Sequence, residues 1–521
     1  MKRLFFFLSI LLFLPHVTAY AQGGGGASER LMVFTDKNCY LAGERMHVSV
    51  RLLPAGGDSA GRNAVAYVEL ADTAAMQTQA MVALTDGAGW ASLPLPSALH
   101  SGNYMLTAYT RSMRNEGWQC FSRQIVSIVN AARTSVRDNV LFLSPDSSIE
   151  NTLPTVRRRA GERVRVSLPA DSAMTIHTLS VVRGDLLTGE YSVPENVVLR
   201  GVGERFVPEV EGHIVMARPV KAGATQNSRL VMVGKGTAVF DGVRQSDDTW
   251  LYLTHDIYGA QPTLLNGYTG DNEPAPMEFL SPYAQVLPVT LPSLQVWCNE
   301  EMLVQRSMSA QREERLVASM PSDTLPHTTN LLSSRPDYLY DLDEYTKFSS
   351  VKEILTEFVR GVRRRTVQGR THLFVSSDEH RLHESWPALV LLDGMPVHDI
   401  DALLQYDAHL LKYVQVYSGV YSFGSTACQG VVSFISHRGR LSNFKLDEGS
   451  RLVTYTFPQQ RPAFTLPEGG GLSTMLWDPY VEAAEAEFPA PPECGSYHII
   501  LQGMRRDGTP LRSVSRLEVG N

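Results

Sequence analysis

Residues 42–50 read Ala42-Gly43-Glu44-Arg45-Met46-His47-Val48-Ser49-Val50, and residues 160–168 read Ala160-Gly161-Glu162-Arg163-Val164-Arg165-Val166-Ser167-Leu168. In each, a glycine turn feeds a run that alternates apolar and polar side chains, the pattern of a strand buried on one face. The separation is about one domain length, so the pair reads as two related β-sandwiches in tandem. Around the first copy, residues 64–70, 79–84, 104–110 and 124–129 read as further strands, and Asp86-Gly87-Ala88-Gly89 as a turn. About seven strands in about 100 residues is the count of a sandwich.

The expected division follows from this pattern. Residues 28–131 form the first sandwich, 135–206 the second and 207–298 a third β domain. Residues 299–336 are a helix or linker, and 441–521 a C-terminal β domain. Between these lies a different unit, residues 337–440. Val351, Ile354, Leu355, Phe358, Val359 and Val362 make one apolar stripe, predicting a helix of about 15 residues. Strands are expected at residues 372–375, 387–392, 411–417 and 431–435, with a turn at Asp393-Gly394 and a helical stretch at 400–404. The fold class is therefore mainly β and multidomain, with one small α/β unit.

Composition sets the outer limits. The 521 residues suit three to four domains. The chain is 43% apolar and 19% charged, with a mean hydropathy of −0.12, as folded globular domains are. Acidic residues outnumber basic ones by 54 to 47, which argues against nucleic acid as a partner. Lys2 and Arg3, an apolar run over residues 4–14 and Ala19-Tyr20-Ala21 read as a secretory signal over residues 1–21. The apolar run is too short to cross a bilayer, which takes about 20 residues. Four glycines at 23–26 would make a flexible lead. Export permits disulfides, and Cys39 and Cys120 lie near the two ends of the first domain, placed to pair across it. Five cysteines leave at least one thiol free or bound to a partner molecule.

Two stretches resemble known families. Phe34-Thr35-Asp36-Lys37 with Tyr40-Leu41-Ala42-Gly43-Glu44 is similar to the opening strand and turn of macroglobulin-like β-sandwich domains, and residues 101–110 fit the same domain near its end. Ala388-Leu389-Val390-Leu391-Leu392-Asp393-Gly394-Met395-Pro396-Val397 resembles the strand and turn of TonB-dependent receptor plug domains. Residues 411–419, Tyr421-Ser422-Phe423-Gly424-Ser425 and Gly430-Val431-Val432-Ser433-Phe434 follow in the plug's order and spacing. The stretch between Tyr421 and Gly430, with Cys428, departs from the usual pattern. A plug normally precedes a barrel of 22 strands, and each spanning strand takes about 9 to 11 residues. Residues 441–521 cannot supply that.

The combination resembles exported envelope proteins of the Bacteroidota, among which one group closes the periplasmic mouth of the type IX secretion pore. What the resemblance implies is a non-enzymatic protein, exported to the periplasm and associated with the outer membrane. It would bind, and close or gate, an outer-membrane barrel or secretion-pore protein. Asp393, Gly394, Pro396, Tyr421, Gly424 and Gly430 carry the plug-like motif. The loops 396–400 and 421–430, presented at one end by rigid strands, would touch the partner.

Residues that carry chemistry are sparse. His380, His383 and Glu384 stand close together, but no spacing supplies a third metal ligand, and a solvated loop explains them. Cys428 with His437 as base is the only nucleophile candidate, and a non-catalytic cysteine is the simpler reading. No GxSxG, HExxH, GxxxxGK[ST] or Cys-Gly-Glu-Gln thioester stretch occurs. No cofactor is expected. Arg157, Arg158 and Arg159, and again Arg363, Arg364 and Arg365, read as solvated basic runs. The competing function is adhesion or glycan binding by the sandwiches, for which Trp90, Trp118 and Trp250 would have to be exposed. Inhibition of a protease through a bait segment would fall to residues 319–334.

Overall fold

Both glycines of the repeated turn adopt left-handed backbone, with φ of +93° at Gly43 and +74° at Gly161, where a side chain would be strained. The two turns then match bond for bond. Gly43 N donates to Leu95 O and Gly161 N to Ala490 O, both at 3.1 Å. Leu95 N donates back to Glu44 O, as Ala490 N does to Glu162 O. Each glutamate also accepts from the backbone three residues earlier, Leu41 N to Glu44 and Arg159 N to Glu162. The repeat is thus structural as well as textual. Its partner strand, however, lies close by in the first copy and near the far end of the chain in the second.

The computed structural model describes residues 29–53, 63–131, 140–143, 153–167, 174–184, 187–189, 191–201, 206–233, 238–271, 273–297, 303–304, 306–311, 335–345, 348–367, 369–376, 386–438, 443–460, 473–481, 485–505 and 510–520. The leader (1–21), the glycines at 23–26, Cys298, His380, His383, Glu384 and residues 319–334 lie outside them. The architecture is mainly β, built of several sandwiches and one mixed unit.

In the first sandwich, Leu31–Thr35, Arg45–Leu52 and Ala88–Pro94 form one sheet. Cys39–Leu41, Ser122–Val129, Gly102–Thr110, Val65–Ala71 and Met76–Ala83 form the other. Met46, Val48 and Val50 fill the space between them with Tyr67, Leu106 and Tyr109. The second sandwich is not confined to residues 135–206. Thr155–Arg159 and Met174–Arg183 share a five-stranded sheet with Thr474–Asp478, Gly495–Arg505 and Pro510–Gly520, and Arg163–Ser167 pairs with Glu485–Pro489. The expected separate tail domain therefore does not exist as such. Most of the tail completes the second sandwich, and Ser450–Thr456 joins the third by pairing with Ala260–Tyr268. The third sandwich stacks that sheet on Ile214–Pro219, Trp250–Leu253 and Met277–Phe279. Of residues 299–336, the described positions 303–304 and 306–311 are helical.

The motif read as macroglobulin-like ties these parts together. Lys37 is buried with its Nζ 3.2 Å from Glu44 and 2.7 Å from Ser473 Oγ. Asp36 accepts from Tyr40 OH at 2.6 Å, from His47 N at 3.0 Å and from Thr474 Oγ1 at 2.5 Å. Arg306 closes on Glu44 at 2.7 Å and donates to Cys39 O at 2.8 Å. Two buried anions and two buried cations thus join the first sandwich, the helical segment and the tail. Burial alone would raise the Glu44 carboxyl, but Arg306 and Lys37 outweigh it and hold the group below the ordinary carboxylate value.

The cystine expected between Cys39 and Cys120 is not formed. Cys39 packs with Leu41, Val129, Leu294 and Val296. The Cys120 thiol donates instead to Gly117 O at 2.9 Å.

Candidate interaction surface

Residues 337–440 centre on a five-stranded mixed sheet in the order Tyr338–Asp341, Leu411–Phe423, Thr426–Ser436, Leu389–Leu392, Met395–Pro396. Leu389–Leu392 runs parallel to Thr426–Ser436, and the other neighbours are antiparallel. The short helices Val351–Glu357 and Ile400–Leu404 cover one face. Ser350 and Asp399 cap them by accepting backbone N–H groups at Glu353 and Ala402. The first helix is half the expected length. Gly361 turns at φ +76° and Val362 already begins a strand, so the last apolar positions of the stripe leave the helix. Phe358 instead stacks on Tyr345, centroids 4.6 Å apart.

Asp393 and Gly394 form the expected turn, with φ of 50° and 80°, the pairing a two-residue hairpin demands. The Asp393 carboxylate accepts from Ser436 N at 2.6 Å and Ser436 Oγ at 2.7 Å, which occupies it structurally. Pro396 sits buried on the outermost strand, where its missing N–H breaks no ladder. Gly430 has φ +83°, and a Cβ there would fall 2.4 Å from Val375 Cβ. Tyr421 is half-buried, edge-on to Tyr417 at 6.1 Å.

The two loops expected to face a partner instead face the third sandwich. Gly424 and Ser425 form the tip of the long hairpin, and Ser425 N donates to Asp241 at 2.5 Å. Arg229 bridges Asp241 at 2.8 Å, bonds Thr426 and lies 5.7 Å over the Phe423 ring. From Pro396 the chain runs back to His398, which meets Asn266 Nδ2 at 2.9 Å and Tyr268 at 4.6 Å between rings. The turn at Asp393 stays at the opposite end, beside Ser436, ten strand residues or about 33 Å from the tip. The six motif residues are therefore not one surface. Val231 and Leu264 of the third sandwich complete the unit's core. Sequence reasoning missed Asp241, Arg229 and Asn266, because nothing local marks an acceptor for a distant turn.

The remaining candidates are structural. Cys428 is buried, donates to Tyr421 O at 3.4 Å, and burial raises its pKa, which disfavours the thiolate. His437 lies nine residues along, about 30 Å away by strand rise, and faces Asp343 at 3.6 Å. Trp90 and Trp250 are both 4% exposed, and Arg123 covers Trp118 at 4.8 Å, so these three rings form no open sugar platform. No group of three or more metal-ligating side chains occurs among the described residues. No described helix is long and apolar enough to cross a membrane.

No family model and no curated protein matches the chain. Solved structures do. Salmonella alpha-2-macroglobulin reacted with methylamine is similar at 12% identity over 96% of this chain and 24% of that one, with a TM-score of 0.16. The Escherichia coli adhesin FdeC follows at 13% over 50% and 64%, TM-score 0.17. Latent PorU from Porphyromonas gingivalis stands at 9% over 94% and 34%, TM-score 0.15. The chain spans about a quarter of the macroglobulin it matches. Likeness at these scores carries no activity, substrate or partner across.

Proposed function

We propose that the chain is a non-catalytic protein of the cell envelope whose mixed-sheet unit docks to, and closes or gates, a pore or barrel supplied by another chain. The sandwiches act as the arm that holds the unit in place. What supports this reading is the mounting. A compact α/β body meets the third sandwich at one hairpin tip, one loop, the Arg370–Glu273 ion pair and the apolar contact of Val231 and Leu264, while the outer strand Val362–Val367 keeps residues 363–367 exposed. A body that presents an exposed strand beyond its mounting can engage a second surface without unfolding its carrier. The buried Trp90 and Trp250 weigh against the glycan-binding alternative.

The test is affinity purification of the tagged full chain from gently solubilised outer membranes, read by mass spectrometry. A barrel protein in stoichiometric amount is the expected result. Recovery of the chain alone from the soluble periplasmic fraction would overturn the proposal.

A further inference from the structure

The tripeptide Arg-Arg-Arg after a valine occurs twice, and both copies sit on the outermost strand of a sheet. Thr155–Arg159 edges the five-stranded sheet of the second sandwich. There acidic neighbours answer the arginines. Glu162 lies 3.8 Å from Arg158 and accepts from Arg159 N, and Glu518 is the register partner of Arg157.

The second copy has no such neutralisation. Val362–Val367 pairs only with Arg370–Val375 among the described strands. That inner strand leans on the mixed sheet, where Ala388 N donates to Leu373 O at 2.8 Å and Val375 abuts Gly430. Residues 363–367 are all exposed. Arg363, Arg364 and Arg365 have no ion pair among the described residues, and Arg365 rests 5.1 Å over Phe374. Arg360 precedes them and His372 lies opposite Arg365. In the same hairpin Arg370 pairs with Glu273, and Thr371 Oγ1 donates to Asp401 at 2.8 Å.

The backbone phase says which groups are open. Val367 faces Arg370 across a two-residue connection, which makes that a hydrogen-bonded pair. Ser376 N donates to Gly361 O at 2.8 Å, in the same phase. The N–H and C=O groups of Val362, Arg364 and Thr366 therefore point outward, with no strand partner among the described residues. Arginines on such an edge repel a second copy of the same strand, while an acidic strand would meet both the charge and the open ladder.

We propose that Val362–Val367 is a docking edge for an extended acidic segment of a protein partner, which adds to the hairpin as a third strand. Carboxylates at alternate positions would lie by Arg363 and Arg365 on one face, or by Arg364 on the other. The inference deepens the function proposed above by giving the partner's chemistry, and takes from it that this unit is the docking module. It is read on purified protein and pore association on membranes, so either can fail alone.

The experiment is fluorescence anisotropy of the full chain with a labelled peptide of four Val-Glu repeats, with random-coil polyglutamate as competitor. The wild type should bind the peptide and ignore the competitor at equal charge. R363E/R365E should weaken binding by roughly tenfold. T366P, which removes an outward N–H and no internal bond, should weaken it as much while the unfolding midpoint stays within a few degrees. Three results would overturn the proposal: no binding by the wild type, equal binding by T366P, or equal competition by polyglutamate. A wild-type dimer dispersed by R363E/R365E would overturn it too, because the occupant would then be a second copy.

Discussion

Gly424 and Gly430 lie on one hairpin, six residues apart, and should respond differently to alanine. At Gly430 the new Cβ would meet Val375 Cβ at 2.4 Å and the backbone oxygen of Tyr417 at 2.8 Å, on a backbone of φ +83°. Left-handed strain of about 1–2 kcal/mol and overpacking of about 1–3 kcal/mol combine there. At Gly424 the nearest atoms belong to the partly exposed Asp241 carboxylate, and moving it loosens its bonds to Arg229 and Ser425 N, which adds to the strain about 0–1 kcal/mol. Denaturant unfolding should show Gly430→Ala the more destabilised of the two. Equal loss would mean that the Val375 contact is not as tight as described. The buried charges make a second residue-scale test. Lys37→Met leaves Asp36 and Glu44 short of a cation, at a cost of about 3–5 kcal/mol. Because the Glu44 carboxyl is held below its unfolded value, its contribution is present above about pH 4.3 and lost as pH falls through the lower folded value. Acid unfolding of Glu44→Gln should therefore be less steep than that of the wild type below that pH. Parallel acid curves would remove Glu44 from the account. At this scale the sequence was informative where the signal was local, as at Asp393-Gly394. It misled where proximity in space had to be guessed, as for Cys39 and Cys120.

Among the elements, hairpin and turn were legible and helix length was not. The strands expected at 372–375, 411–417 and 431–435 are present, extended at one or both ends. The apolar stripe that suggested a helix of about 15 residues is shared between a seven-residue helix, an aromatic stack and the start of a strand. A stripe reports burial on one side, and Gly361 sets where the helical part must already have ended. The tip of the long hairpin offers a test of its mounting. Asp241 holds Arg229 and the Ser425 N–H together. Asp241→Ala should speed amide exchange at residues 422–427 and leave global stability within about 1 kcal/mol, since the contact is partly exposed. Unchanged exchange at the tip would show that Val231 and Leu264, packed in the unit's core, do the holding instead.

The whole molecule is a set of nested interruptions. The second sandwich opens at Thr155, is left after Arg183 and resumes at Thr474. Within that gap the third sandwich opens, is left after Met277–Phe279 and receives its last strand at Ser450–Thr456. The mixed unit fills the inner gap. One half of the repeat showed as a matching turn, because a turn and its strand are written in consecutive residues. The partner strands carry no such mark, and pairings across hundreds of residues leave only alternation, which every edge and core strand shares. The nesting has a consequence for truncation. A chain ending after residue 457 keeps the first sandwich, the third and the mixed unit. It loses four strands of the second and uncovers Val164, Leu179 and Val181. It also takes Ser473 and Thr474 away from Lys37 and Asp36, so the damage reaches the first sandwich. The truncated chain should bind a dye specific for exposed apolar surface and begin to melt well below the first transition of the full chain. Truncation that left the melting curve unchanged would mean that residues 473–520 fold as a separable domain after all, as the linear reading of the sequence expects.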